Sequence, residues 1–449
     1  MNKVIKLTKG LDLPLEGKAA EELKSVSRPE VFSICPDHFP GVKPKPVVRP
    51  GDVVKAGDPL FYDKKFADMN FASPVSGTVL EIIRGERRKI MSITIQADAV
   101  IEYAKYDTNV STAEEVKALL LKAGVWSYIS QRPYDCIADP TKTPKAIWIS
   151  SFDSAPLAPN YEWIMKGHES TLQAAVNALS LIAPVYVGVR FGAAATDWRL
   201  LKNCTIVEFA GPHPAGNAGV QINHVCPVNK GEAVYVVRPQ DLLIIGRLMQ
   251  NGIVDMSRLV ALTGPLAVEK AYYKMLPGMP LSAILKSNVL SGEAVRLIEG
   301  NVLSGHQVAA DEIMEPGCNQ LTVIPEGTEA RDFMGWIMPR FANFSANNAV
   351  MGKWLAKMGA KHFDFDARLL GGRRAIITSG EYDKVFPMDI YPEYLIKAMI
   401  AGNLDRMEAL GAYEVAPEDF ALCEYVCTSK MPLQAIVRQA LDNMKNELE

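Results

Sequence analysis

Between Val47 and Ile95 the apolar residues come in short runs of two or three, set apart by polar turns. Val53-Val54, Leu60-Phe61, Val79-Leu80 and Ile93 to Ile95 alternate with Pro50-Gly51-Asp52, Ala56-Gly57-Asp58, Ser73-Pro74 and Ser76-Gly77. Brief apolar runs cut by Gly, Pro and Asp predict short strands joined by tight turns. The period then changes. Thr112 and Glu115 stand at capping-box spacing, Val116, Leu119, Leu120 and Ala123 form a stripe, and Gly124 follows, which predicts a helix over about 112–123. Strand-like apolar runs occupy Ala146–Ser151, Pro184–Phe191, Thr205–Ala210 and Ala233–Val237. Leu172, Ala175, Val176 and Leu179 recur at helical spacing between the first two, and Asp241 to Asn251, stopped by Gly252, reads as a helix after the fourth. Strands alternating with helices predict a parallel, Rossmann-like sheet over about 105–256. From Arg258 to Pro325 short strands alternate with turns and little helix. The rest, from about Phe333, reads as helical and closes on an amphipathic helix, Leu433 to Leu448.

Composition narrows the class. The chain has 449 residues, enough for three or four domains of roughly 100–150 residues. With 48% hydrophobic and 22% charged residues it can fill several ordinary cores. A net charge of −3 provides no field for nucleic acid, and Lys43-Pro44-Lys45, Arg87-Arg88-Lys89 and Arg373-Arg374 read as short solvated turns. No apolar leader opens the sequence. The weakly polar stretch Ala178 to Val189 is interrupted by Pro184 and falls short of the about twenty residues a spanning helix needs. Seven irregularly spaced cysteines fit reduced thiols in the cytoplasm.

The strand-and-turn pattern of the N-terminal part has the form of a biotinyl/lipoyl-type barrel-sandwich. Carrier domains of that form modify a lysine at a hairpin tip just before a Ser-Pro-x-x-Gly turn, and Asp63-Lys64 lies near that place. Ten positions separate Lys64 from Pro74, and the bulky insert Phe66 to Phe71 with a neighbouring Lys65 leaves no lone lysine on a tight turn. No covalent cofactor is expected, and the sandwich is read as a structural module.

Lys9 to Pro14, Pro50 to Lys55, Asp63-Lys64-Lys65, Ala72 to Val79 and Arg84 to Arg88 resemble the A-subunit family of bacterial Na⁺-translocating NADH:quinone oxidoreductases. So do Gly211 to Gly216, Val260 to Pro265, Leu303 to His306 and Pro417 to Arg438, in order along nearly the whole chain. The pattern places a barrel-sandwich at 1–104, the Rossmann-like α/β domain at 105–256 and a helical domain at 331–449, and the resemblance implies a β-grasp module at 257–330. It implies a peripheral subunit on the cytoplasmic side of the bacterial inner membrane, held by membrane-embedded partner subunits. The complex would pass electrons from NADH to quinone and export Na⁺, with this chain on the quinone step or scaffolding it. A stand-alone soluble carrier or ligand-binding protein, and a flavin-dependent NADH dehydrogenase subunit, are the alternatives.

That family is distantly related to NADH-oxidising, flavin-carrying subunits of complex I-type enzymes, which place a glycine-rich loop after the first helix of the α/β domain. Here the segment reads Gly124-Val125-Trp126-Ser127-Tyr128-Ile129-Ser130-Gln131-Arg132-Pro133, without the glycines that let a backbone approach phosphates. No nucleotide is expected on this chain. Cys423 and Cys427 are too few for a four-iron cluster, and His213, His224 and Cys226 lack a fourth zinc ligand, so no metal is expected either. NADH, flavins and iron–sulfur centres are assigned to partner subunits, and quinone is the substrate of the whole. The candidate site is the loop Gly211, Pro212, His213, Pro214, Ala215 and Gly216, at the carboxyl end of a parallel strand where open α/β sheets bind ligands. A histidine fixed between prolines could bond a quinone carbonyl or relay a proton, or the stiff loop could dock a partner.

Overall fold

The computed structural model describes residues 4–193, 197–290, 294–328, 344–346, 358 and 363–448. The helical onset expected near Phe333 lies outside them. The chain is a multidomain mixed α/β protein built on several sheets.

Residues from Val31 onward form the barrel-sandwich. One antiparallel sheet orders Val31–Ile34, Ile90–Ala97, Gly77–Arg84 and Val53–Val54, and the other orders Pro44–Pro46, Pro59–Asp63 and Asn70–Ala72. Phe32, Val79, Ile93 and Ile95 are buried between them, and the Phe61 and Phe71 rings stack at 4.6 Å with Phe39 edge-on at 4.6 Å to Phe71. The insert after Lys64 is part of this core. Met69 is buried, Phe66 packs against the same cluster, and Asp63 Oδ1 accepts the Lys43 and Lys65 N–H groups at 3.0 and 3.1 Å. The apolar insert thus pins the hairpin from inside and leaves Lys64 exposed.

Two short strands of the N-terminal segment pair with strands outside these two sheets. Val4–Lys6 pairs in parallel with Thr205–Ala210, and Leu23–Lys24 pairs in parallel with Tyr272–Met275. The N-terminal segment therefore straps two other sheets together before the barrel begins.

The first of these has seven strands. Val4–Lys6, Thr205–Ala210, Val185–Arg190, Ala146–Ser150 and Val234–Val237 run parallel, and Ile129–Arg132 and Cys136–Ile137 add antiparallel at one edge. Strands buried on both faces read as continuous apolar runs, and period-two alternation divides their side chains. Ile147 and Ile149 join one core, with the helices Ala113–Lys122, Glu169–Ile182 and Pro239–Asn251. Ala146, Trp148, Val234 and Val236 join the other, with the C-terminal helices Pro392–Ile400, Ala421–Val426 and Leu433–Leu448. The amphipathic last helix buries Leu433, Val437, Ala440, Leu441 and Met444 on that face. The capping box forms as its spacing predicts. Thr112 accepts the Glu115 N–H, the Glu115 carboxylate accepts the Thr112 N–H, and Gly252 ends its helix in the left-handed region at φ 64°.

The third unit is a six-stranded mixed sheet ordered His306–Val308, Val295–Glu299, Gln320–Pro325, Arg258–Thr263, Tyr272–Met275 and Leu23–Lys24, with a helix at Ser282–Asn288. Arg258 and Asp241, both fully buried, join it to the parallel domain at 2.7 Å. Removing one partner would leave a buried charge alone, which costs about 3–5 kcal/mol.

Candidate functional site

At the carboxyl ends of the parallel strands, the Thr205–Ala210 strand leads directly into the Gly211–Gly216 loop. Gly211 has φ 141°, and a Cβ there would stand 2.5 Å from the Leu7 carbonyl oxygen. Gly10, across the contact, would collide with the His213 carbonyl oxygen at 2.3 Å. Glycine at both places lets the N-terminal strap lie against the loop. The strap then bonds to it: the Leu11 N–H reaches the His213 carbonyl at 2.8 Å, and the His213 N–H reaches Asp12 Oδ1 at 2.8 Å.

His213 itself is only 4% exposed. Its Nδ1 lies 3.0 Å from Ser154 Oγ, in the turn after the neighbouring parallel strand. Ser154 Oγ accepts the Gly216 N–H at 2.8 Å, so its own hydrogen is free for Nδ1. Burial without a charged partner lowers the imidazole pKa to about 4. The ring is therefore neutral at physiological pH. Beneath the loop, the Gln221 amide donates to the Ala215 carbonyl at 2.9 Å and to Ser150 Oγ at 3.0 Å, and its oxygen accepts from Trp148 Nε1 at 2.8 Å. The loop is a fastened corner rather than an open binding finger.

Beside it lies a charged group that reading along the sequence missed. Arg132, which ends the Ile129–Arg132 strand, is 2% exposed and pairs with Asp135 and with Glu418 Oε1, the latter at 3.1 Å. Asn217 Nδ2 approaches the Glu418 carbonyl at 3.4 Å, which brings this group to the start of the Ala218–Val225 helix, just past the loop. Asp419 is buried. Its Oδ2 accepts the Ala416 N–H at 2.9 Å, its Oδ1 has no partner among the described residues, and Gly219 leaves room for it. Desolvation, opposed by Arg132, raises Glu418 to about 7 and Asp419 to about 6. The Glu418 side chain is 45% open to solvent, and water on that side moderates the push. The Asp153 carboxyl, next to Ser154, is also raised by burial. A signal existed for part of this, since Glu418-Asp419 lies in the Pro417–Arg438 stretch that carries the family resemblance. Its partner Arg132 gave none.

Other candidates fall elsewhere. In the segment after Gly124, Trp126, Tyr128 and Ile129 are buried, and Trp126 Nε1 donates to the Ala138 carbonyl at 2.7 Å. Cys423 and Cys427 are core thiols, with the Tyr382 hydroxyl 2.9 Å from Cys427 Sγ. His224 Nδ1 lies 2.9 Å from the Val220 carbonyl oxygen within its own helix. Among the described residues no group of three or more His, Cys, Asp and Glu side chains is placed to hold a metal ion.

The chain thus joins a barrel-sandwich to a parallel sheet covered on both faces and to a third, mixed sheet. Residues 5–98 match the family described as the NqrA N-terminal barrel-sandwich hybrid domain, 111–254 the NqrA second alpha/beta domain, and 259–310 the NQRA C-terminal domain. The A-subunit of the Na(+)-translocating NADH-quinone reductase of Pasteurella multocida is 34% identical over 99% of this chain and 100% of its own length. The protein of the same name from Haemophilus influenzae is 34% identical with the same coverage, and that of Histophilus somni 32%. The chain belongs to the A-subunit family of Na⁺-translocating NADH-quinone reductases. A crystal structure of an NAD⁺-reducing [NiFe]-hydrogenase aligns with 76% of this chain and 59% of that one at 11% identity and a TM-score of 0.34, too low to argue from. No helix among the described residues is long and apolar enough to cross a membrane.

Proposed function

We propose that this chain serves the quinone side of a complex that couples NADH oxidation by quinone to Na⁺ export. It sits at the cytoplasmic face of the bacterial inner membrane, held by membrane-embedded partners that carry the NADH, flavin and iron–sulfur chemistry. In this reading the domain at about 105–256 is Rossmann-like and turns the carboxyl end of its sheet toward the quinone. The barrel within 1–104, a β-grasp module at 257–330 and the helical part at 331–449 hold it in place. Gly211, Pro212, His213, Pro214 and Gly216 are the fixed wall of the site.

One observation carries the proposal: a solvent-reaching carboxyl, Glu418, lies 3.1 Å from the buried Arg132 guanidinium beside the loop, with its pKa raised by desolvation. Quinone reduction consumes protons as well as electrons, and an acid titrating near the working pH passes protons best. The neutral, enclosed His213 is a positioning residue in this arrangement. Glu418→Gln in the assembled complex keeps the shape and removes the titratable proton. Quinone turnover should fall on the order of 10²-fold, while NADH oxidation by an artificial acceptor that takes electrons early stays intact. Unchanged quinone turnover in a complex verified to carry the variant would overturn the assignment.

A further inference from the structure

A cleft of about 210 Å³ opens where the chain enters and leaves the barrel. Val26 and Arg28 line it from the incoming segment, Ile101 and Tyr103 from the outgoing one. Its floor is apolar and buried: Met275, Leu276 and Met279, at and just after the Tyr272–Met275 strand.

The rim has the opposite character. Arg28 and Lys274 are both exposed there. Among the described residues Arg28 bonds only to the carbonyl oxygens of Asp98 and Ala99, which leave its charge uncompensated, and Lys274 Nζ has no partner. A third cation, Arg247, lies just behind, donating to the Asp255 and Ser257 carbonyls at 3.1 and 2.7 Å. The one carboxylate in the lining is Asp255, with Oδ2 3.7 Å from Arg247 and Oδ1 bonded to the Ser257 N–H. Arg247 offsets Asp255 from behind, so the two cations of the lining, Arg28 and Lys274, leave the mouth positive. The Tyr103 hydroxyl, with no hydrogen-bond partner among the described residues, is a free neutral donor on the wall, since burial raises its pKa.

We infer that this cleft binds an amphipathic monoanion, a medium-chain acyl carboxylate whose chain covers the Met275–Met279 floor and whose carboxylate meets Arg28, Lys274 and Tyr103. An inorganic anion would leave the half-buried Val26 and Ile101 side chains on the walls uncovered, and a neutral hydrocarbon would leave the cations unmatched. The chemistry selects a molecule with both parts. Because its walls are the two segments that connect the barrel to the rest, an occupant would brace the barrel.

The test is calorimetric titration of the full-length chain with octanoate, with octanol and acetate as probes that each lack one half of the ligand. Octanoate should bind saturably, one per chain, and octanol and acetate each at least about tenfold more weakly. Lys274→Gln and Arg28→Gln, both at exposed positions, should each weaken octanoate about tenfold, the loss expected for one charge-assisted contact. Ile101→Trp, filling the wall, should abolish binding. Absence of saturable octanoate binding, equal affinity for octanol or for acetate, or an undiminished affinity in the Lys274→Gln, Arg28→Gln double variant would each overturn the proposal.

Discussion

His213→Asn discriminates most sharply between a proton-relaying histidine and a structural one. Asn offers Ser154 a polar atom near the place of Nδ1 and cannot take up a proton. In the native chain burial holds the imidazole near pKa 4, against 6.5 for the ordinary value. With a depressed folded pKa, histidine contributes nothing differential above about pH 6.5, where both states are neutral. As pH falls, the unfolded chain is protonated first, so native stability drops through the window from about 6.5 to about 4. At 1.36 kcal/mol per unit the full effect is about 3 kcal/mol, and at about pH 5 it is about 2 kcal/mol. Urea unfolding of wild type and variant, followed by tryptophan fluorescence at about pH 7.5 and about pH 5, reads this directly. The variant should gain about 2 kcal/mol on wild type between the two. A difference that is the same at both pH values would mean that His213 protonates within the fold, and the proton-relay role would return.

Two further substitutions test other parts of the structure. Glu299 is 4% exposed, one of its carboxylate oxygens has no partner among the described residues, and burial raises its pKa from 4.5 to about 7. Stability tied to it is present below about pH 4.5 and lost as pH rises through about 7, so Glu299→Gln should gain up to about 3 kcal/mol on wild type at about pH 8 relative to about pH 4.5 in the same urea assay; a pH-independent difference would show the carboxyl to be solvated. Lys64→Ala, at an exposed hairpin position, should change stability by no more than about 0.5 kcal/mol and leave the turnover of the assembled complex intact; collapse of turnover with normal assembly would bring back a covalently modified lysine.

What the sequence made legible is what local chemistry encodes. The helix after Thr112 rests on a side-chain pair three residues apart, and the Thr205–Ala210 strand and the Leu433–Leu448 helix keep the bounds their periodicity set. Short or interrupted elements escaped. Ile129–Arg132 reads as part of a loop because it holds a single apolar side chain, Ile129, and so carries no period, yet its backbone extends the sheet beside Val234–Val237. Val4–Lys6 is too brief to carry a period, and its pairing is settled only when Thr205–Ala210 offers an open edge.

The candidate site belongs to this second kind. Its loop was visible because prolines and glycines mark backbone constraint locally, but its chemistry depends on partners far away in the chain. Ser154 meets His213 across 59 positions, Asp12 across 201, and Arg132 meets Glu418 across 286. A histidine between two prolines looks reactive when read alone. Enclosed by the strap, Ser154 and the Gln221 web, it loses access to water and with it the ability to take a proton near neutrality. For Glu418 the same burial pushes the carboxyl the other way, upward, while one side still reaches solvent, which is why the proposal gives it the proton. Desolvation thus acts in opposite directions on the two groups, lowering the imidazole and raising the carboxyl, so residue type alone does not rank them as proton carriers.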